Sequence, residues 1–175
     1  MQYRETITGN EPLTLEEVKD YLNVDFDLDD NMILDQISAA RNLVEEYTNR
    51  SFIEKSITLF DECAQSPYYL PFPNHSSITE VKINGEVTDN YEPQGLVKYI
   101  IYFNTFGVIT NLYRGAGTAM LEVSYTTSGE CPQAVKEAMK KAILDFYDYR
   151  GNKYEGTITQ LSEGSMMMLQ AFVDV

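Results

Sequence analysis

The sequence predicts an α+β fold: a small helical bundle with helices near 14–22, 29–49 and 132–150, an inserted antiparallel β region over about 51–127, and an apolar C-terminal tail. Three observations predict it. Two long segments, one in each half of the chain, carry apolar residues at helical spacing. Between them the pattern changes to two-residue alternation, and an Asn-Gly pair sits inside that alternation.

Between Glu11 and Phe52 the chain reads as a short capped helix, an acidic turn and a long amphipathic helix. Thr14 as N-cap and Glu17 three positions on make a capping box, and Leu13 is placed to staple against Val18. The first helix therefore starts at Leu15. In the second, Ile33, Ile37, Ala40, Val44 and Tyr47 follow a four-three-four-three spacing that lays one apolar stripe along the helix, widened by Leu34 and Leu43. Asp25, Asp27, Asp29 and Asp30 precede it, where carboxylates cap a helix and complement the positive end of its dipole.

From Ser51 to Cys63 the chain is rich in β-branched and aromatic residues. Glu80 to Thr88 contains Asn84-Gly85, a strong short-range hairpin signal. Val97–Phe103 and Val108–Tyr113 flank Gly107 as two further strands, and Gly115-Ala116-Gly117 marks a tight turn. Ala119, Leu121, Val123 and Tyr125 alternate with Glu122 and Ser124, so this last strand has one dry face and one wet face. Pro67, Pro71 and Pro73 make 64–77 an irregular excursion, because Pro cannot donate to a ladder.

Pro132 opens the third helix, with Val135, Met139, Ala142, Phe146 and Tyr149 at the same spacing and Gly151 closing it. Two long helices with matching stripes bracket the β region, so they pack together with the short first helix on the remaining apolar side. The expected organisation is one domain over 1–175, with a helical part at 12–50 plus 131–151, a β insertion at 51–127 and a docking tail at 157–175. That tail ends in SMMMLQAFVDV, which is too apolar to float free in water. It docks either on its own domain or on a partner, through Met166, Met167, Met168, Leu169, Phe172 and Val173.

With 175 residues, 43% of them hydrophobic and 12% aromatic, the chain can build a real core, which excludes wholesale disorder. No apolar run approaches the roughly 18 residues that span a bilayer, and MQYRETITGN has neither the basic start nor the apolar core of a signal peptide. A soluble protein that stays where it is made is expected. Cys63 and Cys131 have no metal-type spacing, and a reducing compartment is the default. The formal net charge is −14, and residues 1–62 hold fifteen acids against five bases. Phosphate backbones are repelled by such a surface; Lys136, Lys140 and Lys141 on one helix are the nearest thing to a basic patch, and they read as a solvated face.

Candidate chemistry is thin. Asp25, Asp27 and Asp29 alternate as in a calcium loop, but an EF-hand starting at Asp25 needs Gly and Glu where the chain has Asp30 and Gln36. His75, the single histidine, has only Ser76 and Ser77 beside it, which do not make a working dyad. Gly115-Ala116-Gly117 lacks the Lys-Ser/Thr of a phosphate loop. No catalytic residue, cofactor or metal site is assigned.

Taken together, Pro12, Leu13, Thr14, Leu15, Glu17, Val18, Lys19, Tyr21, Leu22 and Val24, the Asp-rich turn, and Glu46, Tyr47, Thr48 and Arg50 resemble the opening of the tailed-phage head–tail connector proteins, also called head-completion or DNA-packaging adaptors. The likeness continues through Ile78, Val81 and Gly85, then Val123, Tyr125, Thr126 and Gly129, then Pro132, Val135, Ala138, Met139, Tyr147 and Arg150. It covers nearly all of 11–151 in the right order. The resemblance implies a structural, non-enzymatic virion protein located in the virion neck and, during assembly, in the host cytoplasm. It implies a homo-oligomeric ring on the portal protein, docking a downstream neck or tail-completion protein, with DNA passing through without specific binding and no membrane contact. It also implies that the C-terminal segment grips the portal. Two other readings stay open: a monomeric binding module with a Tyr-rich sheet, and a carboxylate-dependent hydrolase, since 27 acids offer many pairs.

Overall fold

The computed structural model describes residues 2–62, 68–72, 74–94, 100–103, 120–149 and 161–173. The chain divides into two compact units, each made of two stretches: Met1–Gly9 with Ile53–Glu130, and Asn10–Phe52 with Cys131–Val175.

The first unit is all β among its described residues. Its strands are β1 (Gln2–Ile7), β2 (Lys55–Asp61), β3 (Tyr68–Tyr69), β4 (His75–Ile83), β5 (Glu86–Val87), β6 (Tyr91–Gln94), β7 (Ile100–Phe103) and β8 (Leu121–Thr127). They form a five-stranded sheet in the order β1-β2-β8-β4-β5 and a three-stranded sheet in the order β3-β7-β6, where the sequence had suggested one β region. Every pairing is antiparallel. Leu59 opposite Val123, and Ile57 opposite Tyr125, set the register of β2 on β8. Their side chains, with Leu121, Val81, Tyr68 and Leu70, make the buried face. Each large apolar side chain fully buried this way contributes about 1.5–3 kcal/mol. The opposite face is polar: Thr58 and Ser124 share a 3.3 Å hydrogen bond, and Lys82 pairs with Glu80 and Glu122.

The Asn84-Gly85 hairpin forms as expected. Lys82 faces Val87, and Ile83 faces Glu86, leaving a two-residue loop. Both loop residues have positive φ, 54° and 85°, which Asn and Gly tolerate and most residues do not. Asn84 also closes the turn on β8, since its Oδ1 accepts the Met120 N–H at 3.0 Å and its own N–H donates to the Met120 carbonyl at 2.8 Å. Leu121, Val123 and Tyr125 lie on the dry side of β8, as their alternation predicts. The expected strand at 108–113, the start of the one before it at 97–99, Gly107, the glycine turn at 115–117 and Ala119 lie outside the described residues, as do Cys63, Pro67 and Pro73.

β1 is an element the sequence pattern did not announce. All six of its residues are exposed, so no apolar alternation marks it, yet it pairs with β2 without a register break. After β8, Gly129 has φ +66°, and a Cβ there would sit 2.7 Å from the Glu54 backbone nitrogen. Only glycine fits both demands.

The second unit is helical: α1 (Leu15–Leu22), α2 (Asp30–Thr48), α3 (Gln133–Tyr149) and α4 (Glu163–Leu169), the last running into a 3₁₀ turn at Gln170–Phe172. Thr14 caps α1 through a full capping box: Thr14 Oγ1 accepts the Glu17 N–H at 3.2 Å, and Glu17 Oε2 accepts the Thr14 N–H at 2.9 Å. Leu13 and Val18 are both buried. Ile33, Ile37, Ala40 and Val44 of α2 pack with Val135, Ala138, Met139, Ala142 and Ile143 of α3, and Leu13, Val18 and Phe52 complete the core. Leu43 joins its margin, but Leu34 and Tyr47 remain 47% and 37% exposed. The stripe of α2 is therefore covered from Ile33 to Val44 and open at Tyr47, with Leu34 exposed beside it. Tyr149 closes α3 in the backbone, and Arg150 and Gly151 lie outside the described residues.

Next to the stripe, α2 buries charge that a solvent-facing reading of its pattern misses. Arg41 donates through Nε to Glu11 at 2.9 Å and through Nη1 to Glu45 at 3.0 Å and to Asn42 at 2.9 Å. Glu45 accepts in addition the Phe52 N–H at 2.7 Å and the Ser51 hydroxyl at 3.2 Å. Buried charges persist only when paired and hydrogen-bonded in this way.

Candidate assembly surface

The C-terminal residues are where the sequence offers docking on the chain's own domain or on a partner, and 161–173 prove to be a folded element. Ser162 caps α4, its Oγ accepting the Ser165 N–H at 3.4 Å. Ser165 and Leu169, four apart, face inward and are fully buried; the Ser165 hydroxyl donates to the Ala138 carbonyl of α3 at 3.5 Å. Met166 and Phe172 pack on the margin of the helical core, and Val173 is half-buried. This leaves Met167, 77% exposed, and Met168, 37% exposed, on the outer side. The expected tail is therefore a helix. It docks on its own unit through Leu161, Ser165 and Leu169, and shows two flexible thioether side chains outward. Residues 157–160, Asp174 and Val175 lie outside the described residues.

The α1–α2 turn of the helical unit also faces outward. Its carboxylates do not cap α2: Asp29 occupies the N-cap position without a side-chain cap bond. Asp29 instead accepts the Tyr147 hydroxyl at 2.8 Å, while Lys19 Nζ holds Asp27 at 2.9 Å and Asp30 at 2.7 Å. These two aspartates raise the affinity of Lys19 for its proton. Asn23 closes α1 in the left-handed conformation, the Val24 N–H donates to the Lys19 carbonyl at 3.0 Å, and Val24 packs on the core. Between these anchors Phe26 and Leu28 point outward, 46% and 90% exposed. Their alternation with Asp25, Asp27 and Asp29 is the one sequence signal that marks these two side chains.

Among the described residues no group of three or more His, Cys, Asp or Glu side chains converges as a metal site would. His75 lies in β4 opposite Thr127. Cys131 is half-buried, and burial pushes its thiol up to about 11, far from the thiolate a nucleophile needs. Burial, aided by the Asp61 carboxylate that accepts its proton at 2.7 Å, likewise raises Tyr68. Lys140 pairs with Glu137 at 3.3 Å on α3 and lies 5.9 Å from the centre of the Tyr21 ring of α1, so its charge is engaged within the helical unit. No helix of the described residues is long and apolar enough to cross a membrane.

Solved structures share this fold over nearly the whole chain. The neck of an empty gene transfer agent particle, computed with C6 symmetry, contains a chain 14% identical, with a TM-score of 0.73 over 98% of this chain and 96% of that one. A chain of the native gene transfer agent virion is 15% identical, with a TM-score of 0.74 over 100% and 96%. One from the native neck computed with C12 symmetry is 13% identical, with a TM-score of 0.69 over 98% and 96%. No curated protein matches by sequence. The family model described as head completion protein matches residues 11–163, from the residue that pairs with Arg41 to the first residue of α4, and the chain belongs to the head completion protein family.

Proposed function

We infer that this protein is a head–tail connector subunit: a structural protein of the virion neck that forms a ring on the portal, extends the DNA channel and docks the next neck or tail component. The observation that carries this reading is the family match over 11–163 together with a fold shared, end to end, with chains of particle necks computed with C6 and C12 symmetry. A ring repeats one heterologous contact around its axis, so each subunit needs two different complementary surfaces. The whole chain, 1–175, serves as one such subunit. The role asks for no catalysis, cofactor or metal.

Within this reading Met167 and Met168 form the contact to the portal, with Met166, Leu169, Phe172 and Val173 holding the helix that presents them. The net charge of −14 suits a channel through which DNA slides without sticking. Native mass spectrometry of the protein mixed with the portal ring of the same genome tests both parts. Many copies should bind, and a Met167→Ser/Met168→Ser variant, which disturbs no buried side chain, should bind poorly. Absence of any association with an intact portal sinks the connector role, whereas equal binding by the variant moves the contact away from α4.

A further inference from the structure

The five-stranded sheet has an open edge on each side. On one side, among the described residues, β1 pairs only with β2, and its six residues carry no proline, no lysine and no bulge, the devices that keep an edge from pairing with another chain. Tyr3 and Ile7 lie opposite Leu59 and Lys55, on the face that continues the buried side of β2, and stay 48% and 49% exposed. The dry face thus runs out to this edge half covered. On the other side β5 and Thr88, whose N–H donates to the Val81 carbonyl at 2.9 Å, cover β4 only at 81–83. Among the described residues, 75–80 of β4 pair with β8 alone; two register shifts fall there, and Ser76, Ser77 and Thr79 are exposed.

The register joins the two edges row by row. Arg4 faces Thr58, Thr58 faces Ser124, and Ser124 faces Glu80; in a second polar row Thr6 faces Ser56, Ser56 faces Thr126, and Thr126 faces Ser77. A row that starts on a base therefore ends on an acid. Arg4 makes no ion pair with any described residue, while Lys82 is shared between Glu80 and Glu122, so the polar face has spare positive charge at β1 and spare negative charge at β4. Strand direction agrees as well. β1, β2, β8 and β4 alternate in direction, so a further copy of β1 in the same orientation runs antiparallel to β4.

We propose that neighbouring copies in the ring join by edge pairing: residues 4–7 of β1 in one copy add as a strand beside residues 75–80 of β4 in the next, a proposal that rests on the connector reading. The occupant of each open edge is a second copy of this chain. A ring needs two different complementary surfaces on one subunit, and these two edges differ, complement each other in charge and match in direction. Without stagger, the contact sets Arg4 of one copy beside Glu80 of the next, and Thr6 beside Ser77, as cross-strand neighbours. Backbone bonds of the added ladder supply the affinity. The local charge match works against the general repulsion between chains at −14.

The test is native mass spectrometry of the full chain loading the portal ring of the same genome. Edge pairing makes loading cooperative, so wild-type portals should be found empty or full. Arg4→Glu sets like charges against each other; it should populate partly filled rings and move half-filling to about 10-fold higher concentration. Its thermal unfolding should match the wild type, because Arg4 is exposed. In a second arm Thr6→Cys copies are mixed with Ser77→Cys copies on the portal and mildly oxidised, with the wild type and its own cysteines as control. Peptides holding the two substituted positions should be linked in the mixture and in neither variant alone, since cross-strand neighbours lie within disulfide reach. Absence of that link on a filled portal overturns the edge pairing and leaves the connector reading standing. Links between two Thr6→Cys copies reveal a two-fold contact and also overturn it. Loading of Arg4→Glu at wild-type concentration overturns the charge match. Failure of the wild type to bind an intact portal overturns the connector reading and this contact with it.

Discussion

The helical and β units solve the same problem, closing a core from two separate stretches of chain, by opposite means. In the helical unit a single carboxylate, Glu45, gathers Arg41, the Ser51 hydroxyl and the Phe52 backbone, so one side chain fixes how the segment after α2 lies. In the β unit the work is spread along ladders: six consecutive register pairs join β1 to β2, and six more join β2 to β8. Its polar contacts are mostly hydroxyls, such as Thr127 Oγ1, which accepts the Lys55 N–H at 2.9 Å and donates to the Ile53 carbonyl at 2.8 Å. A hub concentrates risk at one residue, and a ladder distributes it.

The largest effect should therefore come from the hub. Glu45→Ala takes one of two carboxylates from the buried Arg41 and leaves the buried Phe52 N–H and Ser51 hydroxyl without this acceptor, and should cost about 3–5 kcal/mol in denaturant unfolding. A loss below about 1 kcal/mol, the net worth of an ordinary hydrogen bond, would erase the contrast between the units. In the β unit the nearest equivalent is steric. Gly129→Ala brings a methyl group against the Glu54 backbone at positive φ and should cost about 1–3 kcal/mol by the same measurement.

The smallest change sharpens the comparison at a helix end. Thr14→Ala removes one half of the capping box and should cost about 1 kcal/mol. The other half titrates: the Thr14 N–H holds the Glu17 carboxyl below its ordinary value, so its contribution is present above the unfolded pKa and lost as pH falls through the folded one. A scan of melting temperature from about pH 6 to about pH 3 should show a shallower acid decline for Glu17→Gln than for the wild type.

The same contrast explains what could be read in advance. The cap at Thr14, the stripe from Ile33 to Val44, the Asn84-Gly85 turn and the alternation of β8 are local patterns, visible wherever one stretch of chain decides its own conformation. β1 has no such pattern, because only its partnership with β2 makes it a strand. Burial of Arg41 and Glu45 likewise depends on Glu11, Ser51 and Phe52 arriving from elsewhere. At the candidate surfaces the apolar character of 166–173 was legible, but which methionines face outward was decided by the docking of Ser165 and Leu169.

The interleaving of the two units also sets an order of events during synthesis. The β stretch 53–130 leaves the ribosome whole and finds β1 already waiting, so this unit has everything it needs once Thr127 and Gly129 emerge. α1 and α2 were made before it but have to wait for α3, holding the apolar row from Ile33 to Val44 without its cover while residues 53–130 are translated. A ribosome that pauses in that interval, or a message truncated there, yields a chain with a finished sheet and a sticky half-bundle, and that species is the natural client of a chaperone.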